Sequence, residues 1–249
     1  MNSIFEKFVD KSPVSVMARG MMERVLNPKQ LDEWFESTAQ DQYTRELLFS
    51  SVFDIMSQVV SGSRPSVHAA YQASKEEIAV SITSVYNKLN GIEISTSAEL
   101  VRYAARSVTP VIEALKGTQT SPLPGYNVKL LDGNCIEASE HRIKELRSIS
   151  AGALPGKTLV VFDPVLRIPI EVFPCEDGHA QERSLLNAVL QTVEKDDVWV
   201  ADRNFCTVDF TCGIVGSNAD FIIREHKNYP CKPTGKEKYI GKVETGSVY

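Results

Sequence analysis

The sequence predicts an α+β fold, in which an all-helical N-terminal region precedes a core built on a mixed α/β sheet. Two observations support this division. Apolar residues recur at helical spacing through residues 1–116, whereas short apolar runs typical of strands dominate residues 126–230. Between the two regions, residues 116–125 contain two glycines and two prolines, so this segment is the best domain boundary.

Length and composition limit the classes of protein to consider. The 249 residues suffice for one large domain or two smaller ones, and the 43% hydrophobic and 24% charged fractions are ordinary for a globular protein. No apolar run approaches the ~18 residues of a membrane span, and the N-terminus does not resemble a secretory signal, so we expect a cytoplasmic protein. The five cysteines form no Cys-x-x-Cys pair, which predicts reduced thiols and argues against zinc.

The helical region contains one unit that is typical of DNA-binding proteins. Helices are predicted from residue 12, around residues 31–35, over 44–60 and over 98–115. Residues 66–90 predict two short helices joined by a tight turn, which is the outline of a helix-turn-helix unit.

The second helix of this unit carries polar side chains that can touch a DNA backbone or base edges. They are Ser81, Thr83, Ser84, Asn87 and Lys88. The nearby Glu76 and Glu77 would repel phosphate, and any small helical bundle contains such helix pairs. Plain packing is therefore the alternative to DNA contact. The net charge of −5 argues mildly against a general nucleic-acid coat but leaves room for a local basic groove.

The second region predicts the order strand, hairpin, helix, strand, helix, strand. The predicted elements are a strand over 128–132, a hairpin over 158–173, a helix over 181–194, a strand over 198–202, a helix over 208–215 and a strand over 220–224.

Two of these strands end in an aspartate, Asp132 and Asp202. The intervening hairpin and helix allow the two strands to lie side by side and parallel, which places the two carboxylates next to each other. Like charges held close repel, and a divalent cation such as Mg²⁺ or Mn²⁺ neutralises them readily. Paired ions of this kind serve phosphodiester chemistry, so the pattern predicts a ribonuclease-H-like nuclease or strand-transfer core. For Asp202 alone, capping of the following helix is an equally good interpretation.

The other acids and the histidines of this region have simpler explanations. Turns and a first helical turn account for Asp163, residues 176–179 and Asp209. The histidines His141, His179 and His226 have no partner histidine at the spacing of metal ligands.

Several phrases of the sequence carry a family resemblance. They are Leu131-Asp-Gly-Asn134, Leu154-Pro-Gly156, Glu176-Asp-Gly-His-Ala-Gln-Glu182, Ala201-Asp-Arg-Asn-Phe-Cys-Thr207 and Phe221-Ile-Ile-Arg-Glu-His226, with Ser12-Pro-Val-Ser-Val-Met17, Gln42-Tyr-Thr-Arg45 and Val85-Tyr-Asn-Lys-Leu89 in the helical region. Together they resemble bacterial insertion-sequence transposases of the DDE class, and more closely the subgroup whose third motif is Tyr-x2-Arg-x3-Glu-x6-Lys.

The resemblance implies cut-and-paste DNA transposition by a ribonuclease-H-like domain that uses two Mg²⁺ (or Mn²⁺) ions. The partner it implies is double-stranded DNA carrying terminal inverted repeats. Asp132 and Asp202 match the first and second catalytic aspartates, and both would ligate metal. Arg203 follows the second aspartate, where its guanidinium can hold a DNA phosphate bidentately, with a structural ion pair as the alternative.

The sequence departs from the subgroup in one respect, because the third motif is missing. No arginine follows Arg224, so neither Glu237 nor Glu244 can complete it. Residues 231–249 resemble the start of the β-rich insertion that precedes the catalytic glutamate in this subgroup. We therefore expect a fragment whose core is incomplete at the C-terminus and which, alone, is catalytically inactive or nearly so.

Two alternatives remain open at this point. The first is a non-enzymatic DNA-binding remnant that inhibits a full-length transposase, by occupying its sites or by forming mixed dimers with it. The second is a complete metal-dependent nuclease that takes its third ligand from another acid, such as Glu225.

Overall fold

The structure is a computed structural model that describes residues 23–40, 46–136, 156–175 and 181–230, together with residues 11, 12, 16, 20, 42, 232, 235, 238–243 and 246–248. As predicted, the fold is α+β. In the part of the chain that the structure describes, five helices with defined bounds precede the sheet: α1 (Pro28–Thr38), α2 (Phe49–Val60), α3 (Val67–Ala73), α4 (Ile82–Gly91) and α5 (Ile94–Ala114). The helix predicted from residue 12 lies partly outside the described residues.

Helices α2, α3 and α4 pack around one apolar cluster, which includes Val52, Ile55, Ala70, Tyr71 and Val85. Ser66 and Ser81 cap α3 and α4, because their side chains accept backbone N–H groups of the first helical turn. The connection between these helices spans residues 74–81 and is longer than the tight turn we predict from the sequence. The Tyr71 hydroxyl stabilises this longer connection by donating to the Val80 carbonyl at 2.9 Å.

The long helix α5 joins the helical region to the sheet by packing against strand β3. Arg102 of α5 donates hydrogen bonds to Glu171 on that strand and to Glu99 on its own helix. The hydrogen bond that Arg102 donates to Glu171 is the largest of the effects that raise the pKa of Arg102. The two regions predicted from the sequence are therefore in direct contact.

The core is a five-stranded mixed sheet in the order β3-β2-β1-β4-β5. Its strands are β1 (Asn127–Ile136), β2 (Gly156–Asp163), β3 (Ile168–Cys175), β4 (Asp197–Ala201) and β5 (Asp220–Ile223). β1, β2 and β3 pair antiparallel, while β1, β4 and β5 pair parallel. This arrangement is consistent with a ribonuclease-H-like core. Two short strands, β6 (Gly241–Val243) and β7 (Gly246–Val248), pair in a separate antiparallel ribbon.

Two helices, α6 (Leu186–Leu190) and α7 (Val208–Gly216), supply the apolar residues that cover one face of the sheet. The fully buried side chains of this core include Trp199, Phe205, Phe210, Leu159 and Ile214. The helix predicted over 181–194 is shorter in the structure, where a 3-10 turn (Glu182–Leu185) leads into α6. In the described part of the chain, no helix is both long and apolar enough to cross a membrane.

Strand β1 is longer than predicted, so Asp132 lies inside the strand and not at its end. β4 accompanies β1 only as far as the pair Leu131–Ala201, whereas β2 continues to pair with β1 up to Ile136. The strand persists beyond Asp132 because its backbone hydrogen bonds are satisfied on the β2 side.

Candidate functional site

Asp132 and Asp202 are neighbours at the edge of the sheet where the parallel strand β4 ends. Leu131 and Ala201 are register partners, and the two aspartates are the residues that follow them. Neighbouring strands lie ~4.8 Å apart, so the two backbones are adjacent at this point. Leu131 and Ala201 both pack in the apolar core. Because side chains alternate along extended backbone, the two aspartates point away from that core, and both are exposed.

Local hydrogen bonds orient each carboxylate. Asp132 Oδ1 accepts from the N–H of Gly133 at 2.8 Å, and Asp202 Oδ1 accepts from the N–H of Asn204 at 2.7 Å. Asp202 thereby caps the 3-10 turn Arg203–Phe205. The capping interpretation of Asp202 is therefore confirmed, and it is compatible with a role of the same carboxylate in a site, because capping uses only one of its oxygens.

The chemistry of this pair suits a hard divalent cation. Two exposed carboxylates side by side offer oxygen ligands of the kind that Mg²⁺ and Mn²⁺ prefer. Within the described residues, no group of three or more histidine, cysteine, aspartate or glutamate side chains is placed to hold a metal ion. Glu225 lies within the described residues, so the structure does not make it the third ligand of the pair.

Glu182 contacts both Gly133, which follows Asp132, and Asn204 in the turn after Asp202, which the sequence did not predict. Its carboxylate lies against Gly133, where an added Cβ would come within 2.5 Å of Oε1. Its Oε2 accepts from the side-chain amide of Asn204 at 2.7 Å. Glycine at position 133 is therefore what allows Glu182 to bridge the residue after Asp132 and the turn after Asp202.

A cleft of about 510 Å³ opens beside Asp202. It is lined by Arg183, Asp202, Arg203, Asn204, His226 and Lys227. Sequence reasoning identified Arg203 here, but it missed the two other cations and treated His226 as isolated. A usable signal was present, because β5 also runs parallel to β4 and the segment after it must emerge at the same edge of the sheet.

Arg203 is exposed at this cleft. Among the residues that the structure describes, it forms no salt bridge. The alternative of a structural ion pair is therefore not seen in this part of the chain, and the guanidinium faces the cleft beside Asp202.

The predicted DNA-contacting residues of α4 divide into two groups. Thr83, Ser84 and Asn87 are exposed, as is Ser81, whose hydroxyl accepts the N–H of Ser84 at 3.2 Å. Tyr86, which we did not predict, is 41% exposed on the same helix. These side chains leave α4 with an exposed polar and aromatic surface.

Lys88 packs differently from the other predicted contacts. It is half-buried, and its ammonium lies 4.6 Å from the centre of the Phe35 ring. Burial lowers the pKa of Lys88. The packing alternative therefore describes Lys88 better than DNA contact does.

The remaining acids occupy the positions that their turns and helices predict. Asp163 Oδ1 accepts the N–H groups of Val165 and Leu166 at 2.7 and 2.9 Å, which closes the hairpin turn. Asp209 lies in the first turn of α7. Residues 176–179 and His141 lie outside the described residues.

Comparison with known proteins gives limited information. No protein-family model and no curated protein matches the chain. Among solved structures, a cryo-EM structure of piggyBac transposase in a synaptic complex with hairpin DNA is similar with a TM-score of 0.35 and 11% sequence identity. The likeness covers 84% of this chain and 50% of that chain, so this chain spans half the length of the transposase chain that it matches. At these values, function has to be argued from the geometry of the site.

Proposed function

We propose that the sheet edge at Asp132 and Asp202 binds a divalent metal ion for phosphodiester chemistry on DNA, as part of a DDE-type transposase. The observation that carries this proposal is the parallel register of Leu131 with Ala201. It makes the two exposed aspartates neighbours on one edge of a sheet that is consistent with a ribonuclease-H-like core.

The residues of the site have distinct roles in this proposal. Asp132 and Asp202 would hold Mg²⁺ or Mn²⁺ through their carboxylate oxygens, with the backbone N–H of Asn204 fixing the orientation of Asp202. The chemistry that such ions would supply at these carboxylates is activation of the attacking water or 3′-hydroxyl by one ion and stabilisation of the leaving oxygen by a second. Arg203 lies beside the pair, where its guanidinium can hold a phosphate of the DNA bidentately.

Metal binding is the direct test of this proposal. Wild-type chain, Asp132→Asn and Asp202→Asn are titrated with Mn²⁺ while free Mn²⁺ is followed by electron paramagnetic resonance. We expect each Asn variant to bind at least about tenfold more weakly, because loss of even a supporting residue of a metal site has an effect of this size. Asp220→Asn removes an exposed acid from the opposite end of the sheet and serves as the control. Equal Mn²⁺ binding by all four proteins would refute the proposal.

Catalysis by this chain alone is expected to be weak or absent. In the described part of the chain, no third metal-ligating side chain joins the aspartate pair, and two carboxylates alone position a second ion poorly. We therefore expect little or no Mg²⁺-dependent nicking of supercoiled DNA. Nicking that disappears in Asp202→Ala would instead indicate a complete nuclease and would overturn the expectation of an inactive chain.

A second function is favoured by the α2–α4 unit, which presents exposed polar residues of α4 on a small apolar cluster. In this alternative the chain is a non-enzymatic DNA-binding protein that inhibits a full-length transposase, including through mixed dimers. Filter binding to duplexes with terminal inverted repeats, at several salt concentrations, tests it. We expect weaker binding after Thr83→Ala with Asn87→Ala, and a protein without salt dependence would not be a DNA-binding protein of this kind.

A further inference from the structure

The cleft beside Asp202 brings together three cations from three separate segments of the chain. Arg183 belongs to the 3-10 turn before α6, Arg203 to the turn after β4, and Lys227 to the segment after β5. Among the described residues that line the cleft, Asp202 is the only acid. This local excess of positive charge stands out in a chain whose net charge is −5.

The exposed Arg183 side chain is oriented by one hydrogen bond to the turn after Asp202. Its Nε donates to the backbone carbonyl of Asn204 at 2.6 Å, and Asn204 is in turn held by Glu182 through its side-chain amide. This anchoring uses one of the five N–H groups of the guanidinium and leaves the planar terminal nitrogens available to a ligand. An anchored guanidinium loses little conformational entropy when it binds.

The cations of the cleft also differ from other cations of this chain in their pairing. Lys29 pairs with Glu33 at 3.8 Å and Lys195 with Asp196 at 3.9 Å. In the described ranges, neither Arg203 nor Lys227 forms a salt bridge. The cleft therefore presents positive charge that no acid of the described residues neutralises.

We propose that this cleft is a phosphate-binding pocket for a nucleic-acid strand, with Arg183, Arg203 and Lys227 as its cationic contacts. Guanidinium groups bind phosphate bidentately and an ammonium binds it as a point charge. This inference rests on the proposed function, because Asp202 borders the cleft and the bound phosphate would lie in the strand presented to the aspartate pair.

His226 adds a ring N–H donor to this pocket. Its Nδ1 accepts the backbone N–H of Asn228 at 3.3 Å, so in the neutral ring the proton resides on Nε2. His226 lines the cleft, and its Nε2–H is the donor that the ring can offer to a phosphate oxygen.

The test measures the affinity of the full chain for a fluorescent DNA oligonucleotide by anisotropy, in EDTA and over a range of salt concentrations. The main variant is Arg203→Gln with Lys227→Gln, which removes two exposed cations. The matched control, Lys29→Gln with Lys195→Gln, removes two cations that are also exposed, with relative exposures of 85% and 74%. Arg183→Gln is a third protein, whose folding is checked by its urea midpoint.

We expect the main variant to bind DNA at least about tenfold more weakly. The magnitude of the slope of log affinity against log salt should fall by about 2, because each phosphate contact contributes about 0.9 to that slope and two contacts are removed. The control pair should retain a slope near that of the wild type. If the cleft variant and the control have equal affinity and equal slope, the inference is wrong.

Free phosphate distinguishes the two sources of the ligand group. Inorganic phosphate is added against chloride at matched ionic strength. Displacement of DNA from the wild type but not from the cleft variant supports a pocket for the phosphate group itself. Loss of DNA affinity in the variant without displacement by phosphate supports a pocket for a phosphate in a strand. Equal displacement from both proteins contradicts the proposal.

The absence of metal in this assay separates the inference from the proposed function. If the aspartate pair fails to bind Mn²⁺ but the cleft variant still loses DNA affinity, the phosphate-binding pocket is supported and the proposed metal site is refuted. If Mn²⁺ binding is normal and the cleft variant binds DNA like the wild type, the pocket alone is refuted.

Discussion

The acidic residues at the two ends of the β1–β4 pair lie in opposite environments, buried at one end and exposed at the other. At the end where β4 begins, Asp197 is fully buried and its Oδ2 lies 2.8 Å from the ammonium of Lys129. The same oxygen accepts the backbone N–H of Glu194 at 2.9 Å. Lys129 also lies 5.5 Å from the centre of the Trp199 ring. Its Oδ2 is therefore paired and hydrogen-bonded inside the protein, while its buried Oδ1 has no hydrogen-bond partner among the described residues.

At the other end, Asp132 and Asp202 are exposed and adjacent, and within the described residues neither forms a salt bridge. A buried carboxylate needs a partner, because an unpaired buried charge is strongly unfavourable. An exposed pair of carboxylates persists without one, since water screens much of their repulsion. The comparison shows that the buried acid of this strand pair has a lysine partner, whereas the two exposed aspartates have no cation partner among the described residues.

The largest effect is expected from breaking the buried pair. Lys129→Met keeps most of the side-chain volume but leaves Asp197 charged and without its partner. We expect a loss of about 3–5 kcal/mol in the free energy of unfolding, measured in urea. Lys195→Met is the control, because its ion pair with Asp196 is exposed at 3.9 Å and such pairs contribute about 0–1 kcal/mol. Equal losses in both variants would contradict a structural role for the buried pair.

Substitution of the exposed aspartates should change the free energy of unfolding much less. At Asp202 the capping function can be separated from the charge, because asparagine keeps the cap and removes the charge. Asn is as good a cap as Asp, so Asp202→Asn should leave stability within about 0.5 kcal/mol of the wild type or raise it slightly by relieving repulsion. Asp202→Ala removes the cap and should cost about 1 kcal/mol. Both values come from urea unfolding, and an Asn variant as unstable as the Ala variant would show that the charge itself is structural.

A double-mutant cycle can measure the coupling free energy between Glu182 and Gly133, the residue that follows Asp132. Alanine is favoured over glycine in a strand by about 0.5–1 kcal/mol, but in the wild type the new Cβ must displace the Glu182 carboxylate from Asn204. We expect Gly133→Ala to be neutral or destabilising in the wild type and stabilising in the Glu182→Ala background. Additive effects of the two substitutions would mean that the two residues do not interact.

The smallest effect on the free energy of unfolding is expected from substitution of Lys88, and this effect depends on pH. Burial lowers its pKa below the ordinary value of 10.5 in the folded chain, while the unfolded chain keeps that value. Between the two values the unfolded state binds more protons, so the stability of the wild type should rise relative to Lys88→Met as pH rises toward 10.5. Urea unfolding of both proteins from neutral to alkaline pH measures this difference. A difference that does not change with pH would contradict the burial of the charge.

The sheet could be predicted from the sequence because the order of its elements constrains their pairing. The chain order of strand, hairpin, helix and strand allows few ways of pairing the strands in one sheet. A parallel pairing of the first and fourth strands places Asp132 beside Asp202. The end of β1 could not be predicted, because it depends on how far β2 continues alongside it. The prediction of a tight turn between α3 and α4 was wrong. The connection is longer, and the hydrogen bond from the Tyr71 hydroxyl that stabilises it depends on a contact that the local sequence does not indicate.

Other parts of the site depend on contacts between distant segments. The apolar spacing in residues 181–194 favours one helix, but the structure ends α6 at Leu190, and Asp197 binds the N–H of Glu194 just before β4. Arg183 and Lys227 show no local pattern that indicates a site. They become neighbours of Asp202 only because three loops meet at the edge where the parallel strands end.

Stabilisation of the folded chain by Mn²⁺ tests most directly whether the exposed aspartate pair is a cation site. The free energy of unfolding is measured in urea for the wild type, Asp132→Asn and Asp202→Asn as Mn²⁺ is increased. A ligand that binds only the folded state adds about 2.7 kcal/mol at a concentration 100 times its Kd. We predict that Mn²⁺ stabilises the wild type and leaves both Asn variants almost unchanged. A wild type that gains no stability, or Asn variants that gain as much as the wild type, would contradict the claim.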